Sequence, residues 1–264
     1  MKKLIIGILM TALSVAVAVG FAGCGQNKAG TAGAAYYGHN AVAYATVTTD
    51  KAGKITKVDF EEVETLNVWT VTGAWGAAAD NVAAADLDGT SAKKIQIGDV
   101  VLTRSDDGKT YAGSGKTLPT ARGTDPAWTD PAIAFWYYEQ ATQGNYWILK
   151  ADGSKYDIPF TNELKVGANA GKAVAKKDRL RKSQEDYRTS LAEGQLSWEE
   201  NMTKISAWIV SKGTTDGYDS LVQKDGNGNG HYWFEGDVTT GATFNDLPNY
   251  MRAAALAYAK IGQK

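Results

Sequence analysis

Cysteine is almost missing from this chain. Cys24 is the single one among 264 residues, so no intramolecular disulfide can form. Histidine is nearly as scarce: His39 and His231 are the only two, and two imidazoles without cysteine partners do not make a zinc centre. They also leave no Ser/His/Asp set with any specificity, so hydrolase chemistry has no support. A surplus of one charge is absent as well, since 28 Lys and Arg stand against 29 Asp and Glu. That balance argues against nucleic acid as a partner. Long apolar runs are missing except for Leu4 to Val19, which carries no charge and is short for a membrane span.

That apolar run has its own context. Lys2 and Lys3 precede it, and Phe21-Ala22-Gly23-Cys24 follows with small residues just before the cysteine. This is the layout of a secretory signal over residues 1–23. A lone cysteine after such a site resembles a bacterial lipobox, which implies cleavage before Cys24, diacylglycerol on its sulfur and acylation of the new N-terminus. Several acyl chains on one residue anchor a protein far better than one. Residues 24–33 are small and polar beyond the cysteine and read as a flexible tether. The expectation is an exported protein held on the cell membrane or outer membrane, folded outside the cytoplasm. Removing residues 1–23 takes two lysines from the basic count, 26 against 29, and leaves a formal charge of −3.

Three stretches alternate around Asp/Gly turns: Ala43 to Phe60, Val100 to Tyr111 turning at Asp106-Asp107-Gly108, and Tyr146 to Ile158 turning at Asp152-Gly153. They predict antiparallel hairpins. Gly76 to Asp88 is Ala-rich and reads as a short helix. Val174, Leu180, Tyr187 and Leu191 recur at helical spacing and predict a helix over Ala170 to Leu191. Ser197-Trp198-Glu199-Glu200 is an N-cap with acids in the first turn, Met202, Ile205, Trp208 and Ile209 share one face, and Gly213 ends that helix. A last helix is predicted from about Leu247 to Ile261, with Pro248 in its first turn and Gly262 just past its end. Hairpins first and helices later make the fold class α+β, with a C-terminal helix.

Between an aromatic strand-like stretch, His231-Tyr232-Trp233-Phe234, and that helix lies Asp237-Val238-Thr239-Thr240-Gly241-Ala242-Thr243. An Asp, two free positions, a Ser or Thr, then Gly-Ala-Thr is the acceptor pattern of proteins that carry FMN covalently on the last threonine. The loop runs into a helix N-terminus, where free N–H groups and the dipole favour a phosphate. Gly241 and Ala242 leave little bulk beside the Thr243 hydroxyl, while Asp237 and Thr240 shape or present the loop.

On this motif, and on Tyr36-Tyr37-Gly38 and Gly53-Lys54-Ile55-Thr56-Lys57-Val58 near the other end, the chain resembles the FMN-binding domain family. That family includes the G subunit of RNF complexes, the C subunit of sodium-pumping quinone reductase and flavinylated lipoproteins of extracellular electron transfer. The resemblance covers about residues 36–60 and 231–261. It implies a flavin transferase that moves FMN from FAD to Thr243, a phosphodiester link, and membrane redox partners. It makes residues 34–264 one FMN-binding domain. Trp69 to Lys224 would then be a long central insertion or a degenerate first copy, with Thr72-Gly73-Ala74-Trp75 as a spent acceptor. The role implied is electron carriage rather than an enzyme with its own substrate. Tyr232, Trp233 and Phe244 are the flavin neighbours nearest in sequence to Thr243.

Other patterns have plainer readings. Gly113-Ser114-Gly115-Lys116-Thr117 mimics a phosphate-binding loop, but Thr110 stands where its first glycine belongs, so a flexible loop is expected. Asp225-Gly226-Asn227-Gly228-Asn229-Gly230 mimics half a calcium loop, but Gly236 stands at the closing Glu position, so a tight Asn/Gly turn is expected. The basic run Lys172 to Lys182 reads as a solvated helix face, or one resting on anionic lipid headgroups. Trp136-Tyr137-Tyr138 and Tyr146-Trp147 read as core packing. The rival function is a solute- or carbohydrate-binding surface lipoprotein that uses those aromatic clusters.

Overall fold

The computed structural model describes residues 29–38, 41–65, 82–89, 91–119, 130–156, 175–178, 180–184, 196–226, 230–235, 238–240 and 247–262. The first sheet is antiparallel with order β1-β2-β3, from β1 (Gly30–Gly38), β2 (Ala41–Thr49) and β3 (Ile55–Glu64). Its long register runs from Gly30↔Thr49 to Gly38↔Ala41 on one side of β2 and from Ala41↔Glu64 to Thr49↔Ile55 on the other. The expected β2–β3 turn forms because Asp50 Oδ1 accepts from the N–H groups of Ala52 and Lys54, both at 2.9 Å, while Gly53 takes a φ of 78°. β1 begins inside the stretch read as tether. Its small residues are what bring it into the fold, since a Cβ at Gly30 would lie 3.0 Å from the Ile261 side chain.

Both faces of this sheet are buried. Ala32, Ala34, Ala43, Ala45, Val47 and Val58 face one core, built with α2 (Trp198–Lys212) and α3 (Leu247–Gly262). Ala35, Tyr37, Val42 and Val63 face a second core, built with α1 (Pro131–Thr142) and a five-stranded sheet. That sheet is antiparallel with order β10-β6-β7-β8-β9, from β6 (Lys94–Ile97), β7 (Val100–Arg104), β8 (Thr110–Gly113), β9 (Lys116–Pro119) and β10 (Tyr146–Ile148). Short pairs β4 (Leu87–Asp88) and β5 (Ser91–Ala92) precede it, and β11 (Val222–Gly226), β12 (Gly230–Glu235) and β13 (Val238–Thr239) form a third antiparallel sheet before α3. The α+β class stands.

Local signals placed α2 and α3. Ser197 and Glu200 form a reciprocal capping box, Gly213 closes α2 at a φ of 74°, and Met202, Ile205, Trp208 and Ile209 are all buried. α1 is an addition to the expectation. Asp130 caps it by accepting from Ala132 N–H at 2.8 Å with Pro131 at its start, and its aromatic body hides those signals. The Val100–Tyr111 hairpin forms as expected. The Tyr146 hairpin turns at Asp152-Gly153 as expected, with Leu149 bridging Lys155, Lys150 N–H donating to Ser154 O at 2.8 Å and Tyr156 N–H to Ile148 O at 3.0 Å. The other edge of β10 pairs with β6, and residues 157–158 lie outside the described residues.

Four expectations change. Described parts of 170–191 are turns and a 3₁₀ turn at Lys182–Gln184 rather than a helix. Here the exposed edge of β3 wins: Glu64 N–H donates to Leu180 O at 2.9 Å and Val63 bridges Arg181. Arg181 and Lys182 are therefore no solvated face. Arg181 Nε donates to Glu61 at 2.9 Å, Lys182 pairs with Glu62, and Lys182 is buried. Of the Ala-rich stretch 76–88, the described part holds only a 3₁₀ turn at Ala84–Asp86 and a strand pair. Finally, Ser114 and Gly115, at φ of 48° and 73°, make a tight two-residue hairpin turn between β8 and β9, so Gly113–Thr117 is an ordered turn rather than the flexible loop expected.

Candidate functional site

The orientation of α3 against β1 positions the site. Asn249 packs on Gly38, Arg252 Nη1 donates to the Tyr36 hydroxyl at 2.6 Å, Lys260 Nζ donates to Gly33 O at 3.0 Å, and Ile261 packs on Gly30. α3 thus runs antiparallel to β1, with its N-terminus at the Gly38 end of the sheet. Lys260 also lies 5.4 Å from the Phe135 ring, tying α1 and α3 together across the β1 edge. β13 and Thr240 lead towards the N-terminus of α3, and Thr240 is buried. β12 is hydrogen-bonded alongside, with Phe234 opposite Thr239 and Glu235 opposite Val238. The aromatic strand and the acceptor pattern are therefore neighbours in the sheet as well as in sequence. Thr243, Asp237, Gly241, Ala242 and Phe244 lie outside the described residues, as do Cys24, His39 and Thr72 to Trp75.

The first turns of α3 are held firmly. Leu247, Tyr250 and Met251 are buried. The Tyr250 hydroxyl accepts from Trp198 Nε1 at 2.8 Å, joining the N-terminal turn of α2 to that of α3. Phe60 meets the Tyr250 ring edge-on, centroids 5.7 Å apart at 89°. No acidic side chain occupies the first turn of α3, and Pro248 brings no N–H there. Asp246, immediately before the helix, lies outside the described residues. Asn249 adds a polar side chain that is only 8% exposed.

A second polar cluster, which the sequence reading missed, lies along β3. Glu61 accepts from Arg181 Nε, from Ser183 N–H at 3.1 Å and from the Ser183 hydroxyl. Tyr44 stacks on Tyr138 with centroids 4.0 Å apart, and burial, then the charge of Glu61, raises the Tyr138 pKa. Arg181 and Ser183 are thereby bound to Glu61, and the cluster fastens residues 180–183 to the sheet. Its signal, two acids at 61–62 and two bases at 181–182, has no local spacing that would reveal it.

The remaining candidates resolve simply. Asp225 and Gly226 pair with His231 and Gly230 across β11 and β12, and Asn227 and Asn229 lie outside the described residues. Tyr137 and Tyr146 are core residues, while Trp147 has Lys155 and Lys176 ammonium groups 3.5 and 4.2 Å from its ring centre. No helix among the described residues is long and apolar enough to cross a membrane. Comparison of the chain with family models, with curated proteins and with solved structures finds no match in any of the three.

Proposed function

We propose that this protein is an exported, lipid-anchored electron carrier with FMN joined through its phosphate to Thr243. One observation carries the reading: an acceptor pattern ending at Thr243 enters a 16-residue helix whose first turn is buried on the sheet and free of acids. The donor set fits a phosphodiester. The helix end would supply N–H groups and positive potential. Attachment would form a bond from the Thr243 oxygen to phosphorus, break the pyrophosphate of FAD and release AMP, with the hydroxyl proton passing to the modifying transferase. The bound flavin supplies the redox chemistry. The chain supplies position: Trp198, Phe60 and Tyr250 fix the helix, and Gly38 lets it sit close to the strand. A covalent link keeps the cofactor on a protein that works outside the cell, where a dissociable flavin would be lost. Cys24 carries the lipid, and residues 25–29 are the tether. The partners are a flavin transferase, membrane redox components and extracytoplasmic acceptors.

The test is intact mass of the chain made together with a flavin transferase. An added FMN mass, fluorescence that survives a denaturing gel, and loss of both in Thr243→Ala are expected. No added mass, or an addition that persists in Thr243→Ala, sinks the reading.

A further inference from the structure

The outer face of the five-stranded sheet carries lysines that the functional reading leaves unused. Residues opposite one another in an antiparallel sheet share a face, so register fixes what stands there. Lys94 is opposite Thr103, and Leu149 N–H donates to Lys94 O at 3.1 Å. Leu149 in turn bridges Lys155. Lys94 and Lys155 therefore flank Leu149 in one row, about 10 Å apart at the backbone, a gap that two lysine stems can close. The next row on that face holds Trp147, Gln96 and Val101. The alternate residues Ile95, Ile97, Tyr146 and Ile148 point into the second core.

The cations gather at one corner. The ammonium groups of Lys155 and Lys176 lie 3.5 and 4.2 Å from the centre of the Trp147 ring. Both distances run to one point, so the two groups are at most about 8 Å apart, where like charges repel. The ring face holds an ammonium in place without neutralising it. An ammonium has three donors, and contact with a ring face leaves some of them open. Among the described residues no side chain or carbonyl accepts from the ammonium of Lys94 or Lys155. The described acids nearby are committed elsewhere. Asp152 accepts from the N–H and hydroxyl of Ser154 at 2.8 and 2.7 Å, and Asp178 pairs with Lys177 and Arg181, each at 3.3 Å. Asp157 lies outside the described residues.

We infer that this corner is a binding site for a phosphate-type oxyanion, with Lys94 and Lys155 as its donors, Lys176 adding charge and Trp147 holding the ammonium groups. Lysine binds phosphate as a point charge through short charge-assisted hydrogen bonds. An anion placed between the cations removes their repulsion. The occupant is compact rather than a broad anionic plane, because exposed Asp99, Asp106 and Asp107 stand on the turns at the two ends of the same sheet. A soluble phosphate ester and a single lipid headgroup share this chemistry. The site stands apart from the flavin motif and does not depend on it.

The experiment uses the full chain made without a flavin transferase, as wild type, Lys94→Gln, Lys94→Arg and Lys155→Gln. An amine-acylating reagent and peptide mass spectrometry read each lysine separately, in inorganic phosphate or in sodium chloride of equal ionic strength. In wild type, phosphate at twice its dissociation constant is expected to slow acylation of Lys155 and Lys94 about threefold, with exposed Lys51 unchanged. Lys94→Gln should lose the protection of Lys155, Lys155→Gln that of Lys94, and Lys94→Arg should keep it. Phosphatidylglycerol vesicles in place of phosphate separate the sources: protection by vesicles but not by the free ion assigns a headgroup, and the converse a soluble phosphate. The inference is overturned if neither probe protects Lys155 beyond chloride. It is equally overturned if Lys94→Gln and Lys155→Gln keep the wild-type protection of the other lysine, because lysines kept only for packing on Leu149 and Trp147 would behave that way.

Discussion

Tyr250→Phe removes one oxygen atom and tests what holds the N-terminus of α3. The Tyr250 side chain is 1% exposed, and its hydroxyl accepts from Trp198 Nε1 at 2.8 Å. Phenylalanine keeps the ring and its edge-on contact with Phe60, so almost no cavity forms. The indole N–H of Trp198, itself buried, is left without an acceptor. Orphaning a buried neutral donor costs about 1–3 kcal/mol. For a chain of this size each kcal/mol lowers Tm by about 2–4 °C, so the expected fall is about 2–12 °C. Trp198→Phe removes the same bond from the other side and adds a cavity. In a double-mutant cycle the two substitutions should be less than additive by about 1 kcal/mol. Urea denaturation with unchanged m-values is the assay. A Tyr250→Phe protein within 1 °C of wild type, or strictly additive substitutions, would refute the claim that this bond ties α2 to α3.

Three further outcomes are expected. Glu61→Gln leaves Arg181 facing a neutral group. Because the Arg181 side chain is 27% exposed, the loss should be about 1–3 kcal/mol rather than the larger figure for fully buried pairs, and proteolysis near residues 178–183 should accelerate; equal stability and equal proteolysis would remove the cluster's clamping role. Gly113→Ala places a Cβ 2.1 Å from Val101 O, a backbone atom that cannot step aside, whereas Gly115→Ala meets nothing within 4 Å and bears only its φ of 73°. Gly113→Ala should therefore be the more destabilising in thermal melts, by about 1 kcal/mol or more, and the reverse order would show the turn to be wrongly placed. Burial raises the Tyr111 pKa, so the native state resists an ionisation that the unfolded chain undergoes near pH 10. The contribution is complete below pH 10 and lost as pH rises through the folded-state value, at about 1.4 kcal/mol per pH unit. Tyr111→Phe should decline less steeply above pH 10 in urea melts, and parallel slopes would contradict this.

Much of the fold was written locally. The Asp50–Lys54 turn, the Ser197–Glu200 capping box and the α2 terminus at Gly213 each need only a few neighbouring residues, because a side-chain oxygen or a positive φ satisfies backbone groups in the same turn. Residues 170–191 misled for the complementary reason. Helical spacing there is a local preference, and the described part instead meets an open strand edge and two carboxylates more than a hundred positions earlier. α1 escaped notice because Trp136, Tyr137 and Tyr138 carry strand propensity, while burial against β1 and β2 decided for helix.

The α+β class, the hairpins, both C-terminal helices and the motif that ends at Thr243 are legible residue by residue, since each depends on hydrogen bonds or spacing within a short span. Long-range packing set the rest: β1 starts at Gly30, the first sheet is buried on both faces, and α3 lies antiparallel to β1 with Asn249 against Gly38. Those outcomes depend on which surfaces approach within van der Waals contact, and a strand of glycine and alanine leaves that choice to the helix that packs on it.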